Sequence, residues 1–214
     1  MKLNPIKIAT HYIDLNELKD NFVVVDAGAS RGMFIDEFFN LCNQKNCVIH
    51  AIEPAKKNIG ILKEKYKLNE SVILHEMALT GNDSQDMESF KFFHTKGDRH
   101  YECGNIKDLY ERDIKNSELF ISIEEYEVKT LKINDIFTTI GSDNIDYLKM
   151  DIEGCELDVL KTIDIEKINK IKQISMEFHN KDKLDEAIDL LQKNGFDVEC
   201  YIYEIYAKLK DNVK

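Results

Sequence analysis

The feature that most constrains the fold is a repeated alternation of short apolar runs with segments of helical periodicity. Residues 22–25 form a short continuous apolar run, which is typical of a strand buried on both faces of a parallel sheet. Residues 33–42 then carry apolar side chains on one helical stripe, and the same pairing recurs at 47–52 and in the segment after Pro54. This alternation predicts βα units, and therefore an α/β fold with a mostly parallel central sheet and helices on both faces.

The later part of the chain repeats the pattern after an interruption. A third strand is predicted from residue 72 towards Leu79. Residues 80–131, which are mostly polar up to residue 118 and extended from 119, are predicted to be an insertion with a hairpin and a mobile loop. The elements predicted beyond it are a helix at 132–140, a strand at 145–150, a helix at 156–163, a strand at 171–178, a helix at 182–194 ended by Gly195, and a β pair within 196–209. We expect residues 1–214 to form a single domain.

Composition and charge disfavour several classes of protein. Asp and Glu number 40 and Lys and Arg 29, so the net charge is −11, which disfavours a nucleic-acid partner. No run approaches the roughly 18–20 apolar residues that span a membrane. The N-terminus also lacks the apolar stretch of a signal peptide, so we expect a cytoplasmic protein. The five widely spaced cysteines match neither a disulfide framework nor a Cys/His zinc site.

The turn after the first strand, with the sequence DAGASRG, is the first candidate site. Gly28 and Gly32 let the backbone bend sharply and let a ligand approach the main chain, although a tight turn without a ligand would look the same. The spacing is not GxGxxG, because Ser30 and Gly32 fall out of that register, so a dinucleotide is disfavoured. Asp26 at the strand end suits the ammonium group of a methionine. S-adenosylmethionine is therefore the favoured ligand.

A carboxylate follows the second strand. Glu53 stands where an acidic side chain accepts hydrogen bonds from both hydroxyls of a ribose, although an acidic residue at a helix start is the simpler alternative. Ala78, within the third predicted strand, completes the candidate cofactor-binding set. That set is Asp26, Gly28, Ser30, Gly32, Glu53 and Ala78.

The most distinctive constellation, LKMDIEGCE, follows the fourth predicted strand. Asp151 lies at the carboxyl end of that strand, the edge where ligands bind in open α/β sheets, and Glu153 lies in the turn beyond it. His179 ends the following strand, so adjacent parallel strands should bring it, with Glu177, to the same rim. Asp151, Glu153 and His179 are the candidate catalytic residues. Glu156 is more simply explained as a carboxylate at a helix N-terminus.

These motifs together resemble those of one enzyme family. The segments DAGASRG, AIEP, a strand with Thr130-Leu131, LKMDIEGCELDVL and MEFH stand in the order typical of FkbM-type methyltransferases, over about residues 22–180. The resemblance implies a class I, Rossmann-like fold, dependence on S-adenosylmethionine, and O-methylation of a sugar or natural-product hydroxyl. The family usually has Asn at the position of Ser30 and often Asp at that of Lys132, so one cofactor contact and one loop differ here.

The predicted reaction is in-line transfer of a methyl group to a hydroxyl of a small-molecule or glycan acceptor. His179 or Asp151 is the candidate base that removes the hydroxyl proton. A magnesium ion held by Asp151, Glu153, Glu177 and His179 is an alternative way to acidify that hydroxyl. The polar segment 94–117 is either a lid over the acceptor or a surface loop.

Three other function classes stay open at this point. They are a nicotinamide-dependent reductase, a non-catalytic binding protein of the same fold, and a nucleic-acid or protein N-methyltransferase. The register of the glycine turn disfavours the first, and the acidic net charge disfavours a nucleic-acid substrate. The sequence does not indicate an oligomeric state.

Overall fold

The computed structural model describes residues 3–42, 46–95, 120–179 and 181–211. Most of the segment 94–117, interpreted above as either a lid or a surface loop, lies outside these ranges, so its role stays a prediction. The strands are β1 (Ile6–Ile8), β2 (His11–Ile13), β3 (Phe22–Ala27), β4 (Cys47–Ile52), β5 (Val72–His75), β6 (Ala78–Thr80), β7 (Met87–Thr95), β8 (Phe120–Lys132), β9 (Tyr147–Met150), β10 (Gln173–Glu177), β11 (Phe196–Tyr201) and β12 (Glu204–Leu209). The helices are α1 (Met33–Leu41), α2 (Lys56–Tyr66), α3 (Ile136–Ile140), α4 (Glu156–Thr162), α5 (Ile165–Ile168) and α6 (Leu184–Lys193).

Seven strands form the central sheet, in the order β11-β12-β10-β9-β3-β4-β5. The five strands from β10 to β5 run parallel, whereas β12 pairs antiparallel with both β10 and β11. This topology confirms the predicted α/β fold. The chain runs from β3 outwards to β5 and later returns to β9 on the other side of β3, so a crevice lies at the carboxyl end of β3.

The helices bury apolar side chains against both faces of the sheet. Phe34, Ile35 and Phe38 of α1 are buried with Val24 and Ile49 in one cluster. A second cluster joins side chains of α3, α4 and α6 to the alternate residues of β9 and β10, which point to the opposite face. Each fully buried side chain of this size contributes roughly 1.5–3 kcal/mol, so the two clusters hold the edge of the sheet in place.

The predicted third strand is divided in two. β5 ends at His75, and β6 leaves the central sheet and pairs in parallel with β8. The prediction of one continuous run was wrong because a bend at Met77 redirects the chain. β7 and β8 pair antiparallel, which confirms the hairpin predicted within 80–131, and β6-β8-β7 form a separate three-stranded sheet.

Three elements were not predicted. β1 and β2 form a hairpin in which Ile6 pairs with Ile13, and α5 is a short helix directly after α4. Strands of three residues and a helix of four are too short to give a periodic signal. No helix within the described ranges combines the length and the apolar character that a membrane crossing requires.

Candidate active site

A cavity of about 480 Å³ opens at the carboxyl edge of the central sheet. Its wall is built by the turns after β3 and β9, the ends of β4 and β10, α2, β6, β7 and the β1–β2 turn. The crevice at the end of β3 is thus part of a larger pocket. Its volume lies within the roughly 300–1,000 Å³ of pockets that hold small molecules.

Two glycines shape the turn after β3, with φ of +77° at Gly28 and +79° at Gly32. A Cβ at Gly28 would lie 1.8 Å from the carbonyl oxygen of Asp151, and a Cβ at Gly32 would lie 2.4 Å from the Tyr66 hydroxyl. Packing therefore requires glycine at both positions. Gly28 lines the cavity, whereas Gly32 is buried behind it at the start of α1.

Asp26 does not line the cavity. It is fully buried, and Lys149 Nζ lies 2.9 Å from its Oδ1. Lys149 also donates to the carbonyl oxygen of Gly28 at 2.7 Å. The ion pair with Lys149 leaves Asp26 badly placed for the predicted contact with a methionine ammonium group. Instead, Asp26 holds the lysine that fixes the turn after β3.

Lys149 lines the cavity and was not predicted as a site residue. It is only 4 % exposed, and burial alone would lower its pKa, but Asp26 and Asp151 outweigh burial and raise the pKa of this lysine. The sequence does contain a signal for this residue, because Lys149 is a single charged residue within the apolar run of a central strand. A buried charge needs a partner, so such a lysine indicates an ion pair. Asp26, its direct neighbour in the sheet register, is that partner.

Glu53 lines the cavity at the end of β4 and is 4 % exposed. Its carboxylate accepts the backbone N–H groups of Ser30 at 2.7 Å and Ala55 at 2.9 Å, and the side-chain amide of Asn58 at 3.4 Å. Burial outweighs these bonds and raises the pKa of Glu53 to about 7. Ser30 also lines the cavity, so its bond to Glu53 joins the turn after β3 to the next strand.

Ala78 lies on the wall of the same cavity, beside Leu79 and Phe90. All three are buried, and we call them the apolar wall. Ala78 and Leu79 belong to β6 and Phe90 to β7, so the small separate sheet supplies this surface. The apolar wall gives the cavity one apolar end, which an aromatic base can contact.

The predicted juxtaposition of side chains after β9 and β10 is confirmed. His179 Nε2 lies 3.2 Å from Glu153 Oε2, 3.8 Å from Asp151 Oδ1 and 4.0 Å from Glu177 Oε1. All four side chains line the cavity. We call this group the acidic cluster.

His179 carries a proton in this arrangement. Burial alone would lower its pKa, but a hydrogen bond to Glu156 and the carboxylates of Glu153 and Asp151 overcome burial and raise the pKa to about 10. At neutral pH the side chain is therefore an imidazolium ion. Its charge offsets part of the negative charge of the acidic cluster.

Glu156 has a second function beyond the first turn of α4. Its carboxylate is buried, accepts the N–H groups of Ile152 at 3.3 Å and Gly154 at 3.1 Å, and lies 3.0 Å from His179 Nδ1. It thus fixes the turn after β9 and orients the imidazole. The sequence indicated only the helix-terminal position, because the contact with His179 spans two elements.

The acidic cluster also has the composition of a cation site. The ligand atoms of Asp151, Glu153 and His179 all lie within 4.8 Å of one another. Magnesium prefers oxygen ligands in octahedral geometry, and a histidine in the set suits it poorly. A metal would also have to displace the proton that His179 carries.

The fold and this cavity define the class of protein. A mostly parallel seven-stranded sheet with a glycine turn after β3, a carboxylate after β4 and a pocket at their carboxyl ends is the arrangement of class I methyltransferases that use S-adenosylmethionine. A family model, the methyltransferase FkbM domain, matches residues 26–198. The chain belongs to this family and is an S-adenosylmethionine-dependent methyltransferase.

Individual relatives are distant but cover most of the chain. Methyltransferase sdnD of Sordaria araneosa is 25% identical over 205 residues, which are 88% of this chain and 78% of that protein. The 31-O-demethyl-FK506 methyltransferase FkbM of Streptomyces tacrolimicus is 25% identical over 203 residues, 85% of this chain and 75% of that one. The crystal structure of methyltransferase FkbM from Methylobacillus flagellatus has a TM-score of 0.55 at 18% identity, and covers 88% of this chain and 44% of the other. That last likeness concerns the fold alone.

Proposed function

We propose that this methyltransferase methylates a hydroxyl group of a small-molecule or glycan acceptor. The observation that carries the proposal is the acidic cluster, which faces the same cavity as Glu53 and holds an oriented imidazole. A hydroxyl is a poor nucleophile until a base takes its proton, and proton transfer to a placed side chain is typically worth about 10²–10⁴-fold in rate. The relative from Streptomyces tacrolimicus is named for an O-demethylated substrate, which agrees with this proposal.

The cavity residues fit a nucleoside cofactor. Glu53 presents a carboxylate that can accept ribose hydroxyls, and the apolar wall can take the base. Asn58 also lines the cavity, and its buried Oδ1 has no hydrogen-bond partner among the described residues, so it offers a further acceptor. When bound, S-adenosylmethionine supplies a methyl carbon attached to a positively charged sulfur.

We infer that His179 is the base, in spite of its proton in the free protein. A raised pKa of about 10 reflects the surrounding carboxylates, and His179 loses its proton more readily once the cavity holds a cationic cofactor, because like charges repel. Its Nε2 then faces the carboxylates of Asp151 and Glu153, while Glu156 still holds the ring through Nδ1. Asp151 is the second candidate for the same step.

Two titrations and one transfer assay test the proposal. Calorimetry with S-adenosylmethionine and with NADH should show binding of the first alone. Incubation with methyl-labelled cofactor and a panel of hydroxyl, amine and carboxylate acceptors should then place the label on oxygen of a hydroxyl compound. Label found only on nitrogen, or only on carboxylates, would contradict methylation of a hydroxyl group while leaving the methyltransferase assignment intact.

A magnesium-assisted variant of the reaction is the alternative that the acidic cluster suggests. It predicts loss of activity when excess EDTA is added and recovery when magnesium is restored. Proton removal by His179 or Asp151 alone predicts that activity survives the chelator. We favour the second outcome because magnesium prefers an all-oxygen ligand set, and the cluster of Asp151, Glu153 and His179 includes a nitrogen ligand.

A further inference from the structure

His11 is a buried polar side chain on the cavity wall that the reaction proposed above does not use. It belongs to β2, is 1 % exposed and lines the cavity. Its Nε2 has no hydrogen-bond partner within the part of the chain that the structure describes. A buried imidazole nitrogen without a partner costs free energy unless a ligand supplies the partner.

The hairpin formed by β1 and β2 is firmly attached to the sheet and to α1. The N–H of Tyr12 donates to Ser175 Oγ at 3.0 Å, and the N–H of Asp14 donates to Gln173 Oε1 at 2.8 Å. The N–H of Ala9, in the turn, donates to Glu37 Oε2 at 2.6 Å. The hairpin therefore crosses the face of β10 and brings His11 to the carboxyl edge of the sheet.

The imidazole of His11 is held in one orientation. Its Nδ1 lies 3.4 Å from Ser175 Oγ, and its ring meets the Phe34 ring edge-on, with centroids 6.2 Å apart. Ser175 Oγ accepts the N–H of Tyr12 and also interacts with the Tyr147 side chain. We infer that the Ser175 hydroxyl donates its hydrogen to Nδ1. That arrangement puts the proton of the neutral ring on Nε2, which makes Nε2 a donor.

Three cationic side chains act electrostatically on His11. Burial, then Lys149, Lys7 and His179, lower its pKa well below the ordinary value, so the ring is neutral at physiological pH. Arg31 also lines this cavity, as do the carboxylates of Asp151, Glu153 and Glu177. A neutral N–H donor beside several cations is a favourable environment for a carboxylate group.

The order of the strands gives the cofactor a direction. Glu53 at the end of β4 marks the ribose, and the apolar wall, which the small separate sheet supplies, offers a surface for the base. β3, β9 and β10 follow β4 in the order of the central sheet, and the β1–β2 hairpin closes that end. The amino-acid part of the cofactor therefore points towards His11. Asp26, which is paired with Lys149 beneath the turn, does not reach it.

We propose that His11 Nε2 donates a hydrogen bond to the carboxylate of the methionine part of the cofactor. The inference rests on the cofactor orientation proposed above. It assigns to the N-terminal hairpin the recognition of the amino-acid end of the cofactor, while Glu53 recognises the ribose.

Two ligands that share a nucleoside separate these roles. S-adenosylhomocysteine carries the amino-acid part, and 5′-methylthioadenosine lacks it. In calorimetric titrations, His11→Phe should weaken S-adenosylhomocysteine by roughly 10- to 100-fold, as expected for a hydrogen bond to a charged group, and leave 5′-methylthioadenosine unchanged. His11→Gln, which keeps a donor near the position of Nε2, should retain most of the affinity. If His11→Phe does not fold, His11→Met fills the site equally without a donor.

His50→Phe is the matched control. His50 is 4 % exposed, its Nδ1 lies 2.9 Å from His75 Nε2, and it does not line the cavity, so the ratio of the two affinities should equal that of the wild type. Equal loss of both ligands in His11→Phe, or loss of neither, would overturn the proposal, as would equal affinity of the wild type for both. A wild-type protein that binds neither ligand would instead contradict the cofactor site itself.

Discussion

Two buried glutamates, Glu53 and Glu156, show how one residue type acquires two functions. Both accept backbone N–H groups in a turn at the carboxyl edge of the sheet. Glu53 has only uncharged donors and faces the cavity, so burial raises its pKa to about 7. Glu156 lies behind the wall against an imidazolium ion, and its charge is offset there. A buried carboxylate with neutral partners is thus left for a ligand, whereas one with a cationic partner positions that partner.

Removal of the imidazole should give the largest effect, because it separates catalysis from cofactor binding. His179→Ala is expected to lower turnover by about 10²–10⁴-fold, the usual contribution of a placed base, with cofactor affinity close to that of the wild type. Steady-state kinetics and calorimetry with S-adenosylmethionine measure the two quantities. If both fall equally, His179 is structural and the contrast between the two glutamates fails.

Glu156→Gln tests the positioning side of the comparison. Without this carboxylate the pKa of His179 should move from about 10 towards its ordinary value of 6.5, which an NMR titration of the histidine ring would follow. Glu177→Gln is the control, because its oxygen is 4.0 Å from Nε2, and it should shift the pKa less. An equal shift in both variants would mean that Glu156 has no special part in orienting the ring.

Glu53→Gln tests the ligand side. Loss of a charged acceptor for the ribose should weaken S-adenosylmethionine by roughly 10- to 100-fold, with little change in turnover at saturating cofactor. The same factor should apply to 5′-methylthioadenosine, because both ligands carry the ribose. Unchanged affinity for both would remove Glu53 from the cofactor site.

The smallest predicted effect is on pH dependence. A carboxyl group with a folded pKa near 7 binds a proton more readily than the unfolded chain, so its contribution to stability is lost as pH rises from about 4.5 to about 7. The pKa of His179 is also raised, so its contribution to stability is lost at higher pH. That contribution is complete below about pH 6.5 and is lost as pH approaches 10. Unfolding by denaturant across pH 4–10 should show both declines, and Glu53→Gln should remove only the first.

Much of the site was predictable from local sequence. Gly28, Ser30, Glu53, Ala78, Asp151, Glu153 and His179 all line one cavity. The carboxyl ends of parallel strands must meet at one edge, so residues just after apolar runs are brought together whatever the details of packing. Asp26 and Gly32 are exceptions. They stand at the two ends of the turn after β3, where a residue can be buried beneath the turn and so not reach the cavity.

Long-range contacts explain what the sequence did not reveal. Lys149 of β9 pairs with Asp26 of the adjacent strand β3, and Glu156 of α4 contacts His179 after β10. His11 reaches the cavity from a hairpin of three-residue strands. None of these pairings has a sequence spacing that identifies it. Each depends on which face of the sheet a neighbouring element covers.

The sequence by itself determined the α/β class, the order of the βα units and the residues at the strand ends, because apolar periodicity and glycine turns act locally. The tertiary structure alone decided which carboxylates face the cavity, which are paired beneath it, and which imidazole carries a proton. These properties follow from burial and from charges on distant segments, and electrostatic free energy depends on distances in space rather than on spacing along the chain.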